Sequence, residues 1–255
     1  MSKQNPPMAL FLLLVACVAV APRARAEGAA SDPRALRIAD QVMAALGGQE
    51  RWEKLPGLRW SFEVAVNDTV RSYRHHAWDM KGGTDRVEGK TRAGVAYCFI
   101  HPPGGERGMA WMNGTAIEGD SLAKLIKRAQ SLWTNDSYWF LMPYKLRDPG
   151  VTLGYDGEVT QGDTTYDKIS LSFDKVGETP GDHYWVYVNR KNHRIEKWDF
   201  ILQDQPPPAV SWTWEGWEQH DGLWFPTVHR NGASTLYTRA VETVASFGPD
   251  EFKTP

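Results

Sequence analysis

The chain has 255 residues, 42% hydrophobic, 24% charged and 12% aromatic, which excludes a disordered or fibrous protein and sets the expectation of a single globular domain. Twenty-nine lysines and arginines face 31 aspartates and glutamates, so no broad positive field exists to hold a phosphate backbone, and nucleic acid is excluded as a partner. Two cysteines, Cys17 and Cys98, are too few for a disulfide framework.

Residues 1–26 read as a secretory signal peptide. Lys3 gives a basic start, Met8 to Ala21 carries no charge, Pro22 breaks the run, and Ala24-Arg25-Ala26 is an A-x-A cleavage site. Cleavage after Ala26 removes three bases and no acid, leaving a periplasmic chain of net charge −5 over residues 27–255. The alternative is an outer-membrane lipoprotein anchored at Cys17, since Leu14-Val15-Ala16-Cys17 resembles a bacterial lipobox. Cys98, inside the apolar stretch Val95 to Ile100, reads as a buried structural thiol.

The mature chain opens on a helix. Ser31-Asp32 caps it, Pro33 suits its first turn, Leu36, Ala39, Val42, Met43 and Leu46 recur at helical spacing, and Gly47-Gly48 ends it. The period then changes to two: Leu58, Trp60, Phe62, Val64 and Val66 alternate with Arg59, Ser61, Glu63 and Ala65. Further strands are expected near 70–80, 84–90, 92–101 and 107–118, the last folded back at Asn113-Gly114. A second helix starts at Asp120 or Ser121, with Leu122, Leu125, Ile126, Ala129, Leu132 and Trp133 forming one apolar stripe opposite Lys124, Lys127 and Arg128. Residues 135–150 read as irregular, too apolar for a solvated loop, and are expected to pack across the sheet. Strands follow near 151–161, 164–173, 183–190, 193–203, 209–219, 222–230 and 235–247, giving ten to twelve strands and two substantial helices.

No G-x-S-x-G elbow, phosphate-binding loop, H-E-x-x-H pair or C-x-x-C motif occurs, so no catalytic residue, metal site or cofactor is assigned. Adjacent His75 and His76 point to opposite faces of a strand and do not share an ion. His75 and Asp79 share a face, but two ligands at that spacing are common, and these histidines read as partly exposed strand residues. His101, His183, His193, His220 and His229, near predicted turns and strand ends, read as solvated. The twelve tryptophans are the informative excess. Each alone reads as core, whereas together they indicate a wide concave sheet, either filled by its own helices or keeping an aromatic-lined cavity.

Asp40 to Gly48, then Trp52 and the strand Leu58 to Val66, resemble the opening of exported proteins with the LolA/LppX-like lipoprotein-localisation fold. Asn135 to Trp139 and Leu141 to Val151 resemble the outer-membrane lipoprotein-sorting-like group, and the similarity runs over nearly all of 33–248. The resemblance implies an α+β fold: a strongly curved antiparallel half-barrel with helices on its concave face, around a cavity that receives acyl chains. It implies a non-enzymatic cell-envelope protein that binds a lipid or acylated molecule, with an envelope membrane protein or lipoprotein as a further partner. The expected lining is Trp60, Phe62, Trp111, Trp198, Trp212 and Trp214 on the concave face, with Leu125, Ile126, Leu132, Trp133 and Trp139 on the covering segment. Two other classes stand beside it: an envelope interaction module without a cavity, and a hydrolase or metal enzyme built around His75, Asp79 and Tyr97.

Overall fold

A computed structural model describes residues 30–173, 182–203 and 205–255. The expected signal peptide, its cleavage site and Cys17 lie outside these residues. Helix α1 (Pro33–Ala45) begins where the Asp32 carboxylate accepts the amide hydrogens of Arg34 and Ala35 at 2.6 and 3.1 Å. It buries Ala35, Ile38, Ala39 and Val42. It ends at Gly47, whose φ of +116° and contact with the Gly222 carbonyl leave no room for a side chain. A short helix absent from the sequence expectation, α2 (Gln49–Lys54), stacks Trp52 on Tyr144 at 4.3 Å.

Strands β1 (Gly57–Val66), β2 (Thr69–Asp79), β3 (Thr84–Lys90), β4 (Ala96–His101), β5 (Met109–Met112) and β6 (Thr115–Ala116) form an antiparallel meander. The expected strand at 92–101 starts only at Ala96, because Thr91 to Gly94 turn the chain, with Gly94 in the left-handed region. Helix α3 (Gly119–Leu141) follows and runs into a single 3-10 turn, Met142–Tyr144. The irregular segment expected from residue 135 is therefore helical as far as Leu141. Its amphipathic pattern fails because every residue from Leu132 to Leu141 is buried, so this part of the helix has no solvent face for polar residues to mark.

The second half gives β7 (Val151–Gln161), β8 (Thr164–Phe173), β9 (His183–Asn189), β10 (Ile195–Ile201), β11 (Val210–Thr213), β12 (Glu218–His220), β13 (Leu223–Phe225), β14 (Val228–Asn231) and β15 (Ser234–Val244). The described residues thus hold fifteen strands, more than expected, because the stretch read as 107–118 forms the two hairpin strands β5 and β6, and those read as 209–219 and 222–230 each divide. They break at Gly216, held at positive φ with its carbonyl accepting from Thr227 Oγ1, and at Pro226, which has no amide hydrogen to give a ladder.

One sheet runs β14-β15-β1-β2-β3-β4-β5-β6 and a second runs β11-β10-β9-β8-β7. They meet where β11 lies beside β14: Asn231 Nδ2 donates to the Ser211 carbonyl at 2.7 Å, and Glu215 bridges Val228. The result is an open antiparallel half-barrel, α+β in class, with free edges at β6 and β7. Ser31 and Asp32 bond to Leu153 and cover part of the β7 edge. Helix α3 lies along the concave face between the sheets, joining a core that runs from α1 through β1 to β8, β9, β10 and β13.

Candidate functional site

The inner end of α3 is sheathed by aromatic rings. Trp139 lies 4.6 Å from Trp198, 5.1 Å from Trp212 and 5.5 Å from His229, and Trp198 reaches Trp214 at 5.6 Å. Phe140 stacks between Trp60 at 5.3 Å and Phe225 at 5.2 Å. Trp133 meets Trp78 edge-on at 5.6 Å. Strand alternation explains the assembly: Trp60 and Phe62 face the helix from β1, Trp198 and Phe200 face it from β10, and Trp212, the register partner of Trp198, faces it from β11.

The expected lining residues divide accordingly. Trp60, Phe62, Trp139, Trp198 and Trp214 are buried in one cluster, with Trp212 half-buried against it. Leu125 and Ile126 belong to the outer part of α3 and Leu132 begins its buried inner half, with Leu125 and Leu132 packing with Val87, Tyr97, Phe99 and Ala110. Trp111 stands apart: Ala110 and Met112 pack toward α3, so alternation turns the intervening Trp111 to the convex side, beside its register partner Cys98. Cys98 is buried and unpaired with another cysteine, and burial pushes its thiol up to about 12.

The buried aromatic donors are not all satisfied. The indole N–H groups of Trp60, Trp133, Trp198 and Trp214 have no hydrogen-bond acceptor among the described residues. A buried donor without a partner costs about 1–3 kcal/mol. Three of them around α3 and a fourth on it mean that side-chain packing fills this concave space in shape without matching it in polarity.

Beside the rings sits a charged cluster. Asp136, on the buried turn of α3, accepts from Arg74 Nη2 at 2.8 Å, from Asn135 Nδ2 at 2.8 Å and from His76 Nε2 at 3.0 Å. His76 Nδ1 faces the Asp85 carboxylate at 3.2 and 3.3 Å, and His101 Nε2 lies 3.4 Å from the same carboxylate. Burial alone would push His76 down, but the Asp85 and Asp136 carboxylates raise it to about 9, so it is an imidazolium donating from both nitrogens. Burial raises the two aspartates, yet His76 beside Asp85 and Arg74 beside Asp136 hold both below the usual carboxylate range. Arg74, His76, Asp85 and Asp136 thereby balance in charge, and the imidazolium stacks on Trp60 at 4.6 Å with the ring planes 5° apart.

This cluster corrects the sequence reading of the histidines. His76 and His101 are buried, as is His229, which burial pushes down to about 3. Opposite facing of the adjacent pair is observed, with His75 on the convex side beside Arg86 and Glu88. Asp79 accepts the Gly82 amide inside the β2–β3 turn, and Tyr97 packs with the α3 side of the sheet. His75, Asp79 and Tyr97 therefore do not converge. Among the described residues no group of three or more His, Cys, Asp or Glu side chains is arranged to hold a metal ion.

Two surface concavities of about 320 Å³ are present. One is a polar groove on the convex face between His75, Arg86 and the C-terminal residues Glu251 and Thr254. The other lies between Tyr166, Glu196, Trp214 and Trp217, so a member of the aromatic core reaches a surface groove there.

No family model matches the chain, and no curated protein does. Among solved structures it is similar to a LolA superfamily protein from Nitrosomonas europaea, with TM-score 0.53 and 12% identity over 86% of this chain and 97% of that one. It is also similar to a DUF1329 family protein from Desulfovibrio piger (TM-score 0.49, 13% identity, 88% and 98% covered) and to an outer membrane lipoprotein-sorting protein domain from Vibrio parahaemolyticus (TM-score 0.48, 10% identity, 86% and 96% covered). The first likeness, with the open curved sheet and its inserted helices, defines the class: this chain has a LolA-like fold.

Proposed function

We propose that this protein is a non-enzymatic carrier of an acylated ligand in the cell envelope, and that the ligand occupies the concave space now filled by the inner end of α3. The observation that carries this reading is the set of orphaned indole donors, on Trp60, Trp198 and Trp214 around α3 and on Trp133 of the helix itself, with the helix held to the sheets by side chains. A ligand with ester or amide carbonyls would give these donors acceptors, while its chain would gain about 0.8 kcal/mol for each CH2 buried. The groove beside Trp214 and Trp217 is the proposed mouth. On this reading Trp60, Phe62, Trp198, Trp212 and Trp214 line the occupied site, and Leu132, Trp133 and Trp139 are the residues that give way. Leu125, Ile126 and Trp111 lie at its outer margin.

Native mass spectrometry of the protein purified from its envelope fraction, followed by solvent extraction, tests the proposal. A co-purifying acylated molecule of defined mass is expected. A clean apo mass that persists after incubation with envelope lipids would overturn the carrier reading and favour an interaction module with a sealed core.

A further inference from the structure

The chain carries net negative charge, yet one end of the half-barrel is basic. Residues 90–128 contain six cations, Lys90, Arg92, Arg107, Lys124, Lys127 and Arg128, against three acids. All six are exposed, and none is in an ion pair among the described residues. Elsewhere among the described residues twelve of nineteen arginines and lysines are so paired, whereas here none of six is.

Tertiary contacts set the six around the outer half of α3, with the β3–β4 turn and the β4–β5 loop flanking it at the two ends of β4. The Arg128 guanidinium lies 5.5 Å from the Tyr97 ring, and Tyr97 is the register partner of Gly89, the neighbour of Lys90 at the β3–β4 turn that holds Arg92. Gln130 clamps the β4–β5 loop through the Pro102 and Gly105 carbonyls at 2.7 and 2.6 Å. Gly108, next to Arg107 in that loop, lies so close to Ile126 that a Cβ there would stand 2.6 Å from its side chain. Lys124 and Lys127 project from the same turns of α3. Leu122, Leu125 and Ile117 pack beneath α3 against the sheet, so the face of the helix that carries Lys124, Lys127 and Arg128 is turned away from the core. An exposed group of unpaired cations on and around a helix matches a surface of anionic head groups, where the cations meet phosphate.

We infer that the outer half of α3 with the β3–β4 and β4–β5 loops docks this protein on an anionic phospholipid surface. The inference stands on charge and exposure and is independent of what the concave face binds. Its test is co-sedimentation of the full mature chain with vesicles of phosphatidylcholine alone and of phosphatidylcholine with an equal part of phosphatidylglycerol. Binding is expected only to the anionic vesicles, weakening as salt is raised. Changing Lys124→Gln, Lys127→Gln and Arg128→Gln together should weaken it about a hundredfold, at roughly fivefold for each charge. The pair Lys81→Gln and Lys191→Gln, unpaired cations elsewhere, should leave it unchanged. Equal binding to both vesicle types, binding to neither, or an unaffected triple variant would each overturn the inference. Thermal melting and extraction of any bound ligand, run on the same variants, separate a failure of docking from a failure of the carrier reading.

Discussion

Asp136 is the carboxylate that two buried cations share, so Asp136→Asn leaves Arg74 and His76 competing for a neutral acceptor. Breaking one side of a buried charge set costs about 3–5 kcal/mol, and urea unfolding of the variant should show a loss of that size. The same residues set the pH response. His76 is raised above its unfolded value, so its contribution is complete below about pH 6.5 and is lost as pH rises through 9. His229 is depressed to about 3, so the unfolded chain binds a proton it does not, and stability falls as pH drops below about 6.5; His75, lowered by burial, adds the same sign. The unfolding midpoint should therefore peak near pH 6.5, with His76→Gln flattening the alkaline limb and His229→Phe the upper part of the acid limb. A midpoint that rises steadily to pH 9 would refute the assignment. Little of the cluster was legible beforehand. Arg74 and His76 sit two apart on one strand face, but their acceptor is 62 and 60 positions away, and only the path of α3 brings it there.

Helix α3 has two halves of different character. Its outer half follows the apolar stripe of Leu122, Leu125, Ile126 and Ala129, and its inner half is buried on all sides. Truncation should report that difference: Phe140→Ala should cost about 3–5 kcal/mol, and Leu125→Ala, at a half-exposed position, markedly less. Hydrogen exchange gives a second check at this scale. If the inner half is the element that yields to ligand, Asp136→Asn should speed amide exchange in 132–141 while leaving β9 and β10 protected. Uniform loss of protection across all three would show that the helix opens only with global unfolding. The start of α3 was legible because a two-sided helix leaves a period in its sequence. Its end was not, since full burial lets aromatic residues, Asn135, Asp136 and Ser137 follow one another without one.

At the scale of the molecule, the two sheets share one core through α1, β1, α3 and β10, and they join again at the β11–β14 corner. Far-UV circular dichroism and tryptophan fluorescence should accordingly report one coincident unfolding transition, and two separated transitions would mean that the sheets are independent units. The sequence by itself determined the α+β class, the first helix, the β1–β6 meander and most strand positions of the second half, because one-sided burial writes period two or 3.6 into neighbouring residues. It also determined that tryptophans such as Trp60, Trp198 and Trp214 would face inward. Only the tertiary structure decided that the concave face holds a helix whose inner half is fully buried, that four indoles there lack acceptors, that Trp111 faces away, and that His76 is charged. Each of these depends on partners distant in the chain, and local periodicity records whether a side chain is buried but not what it meets.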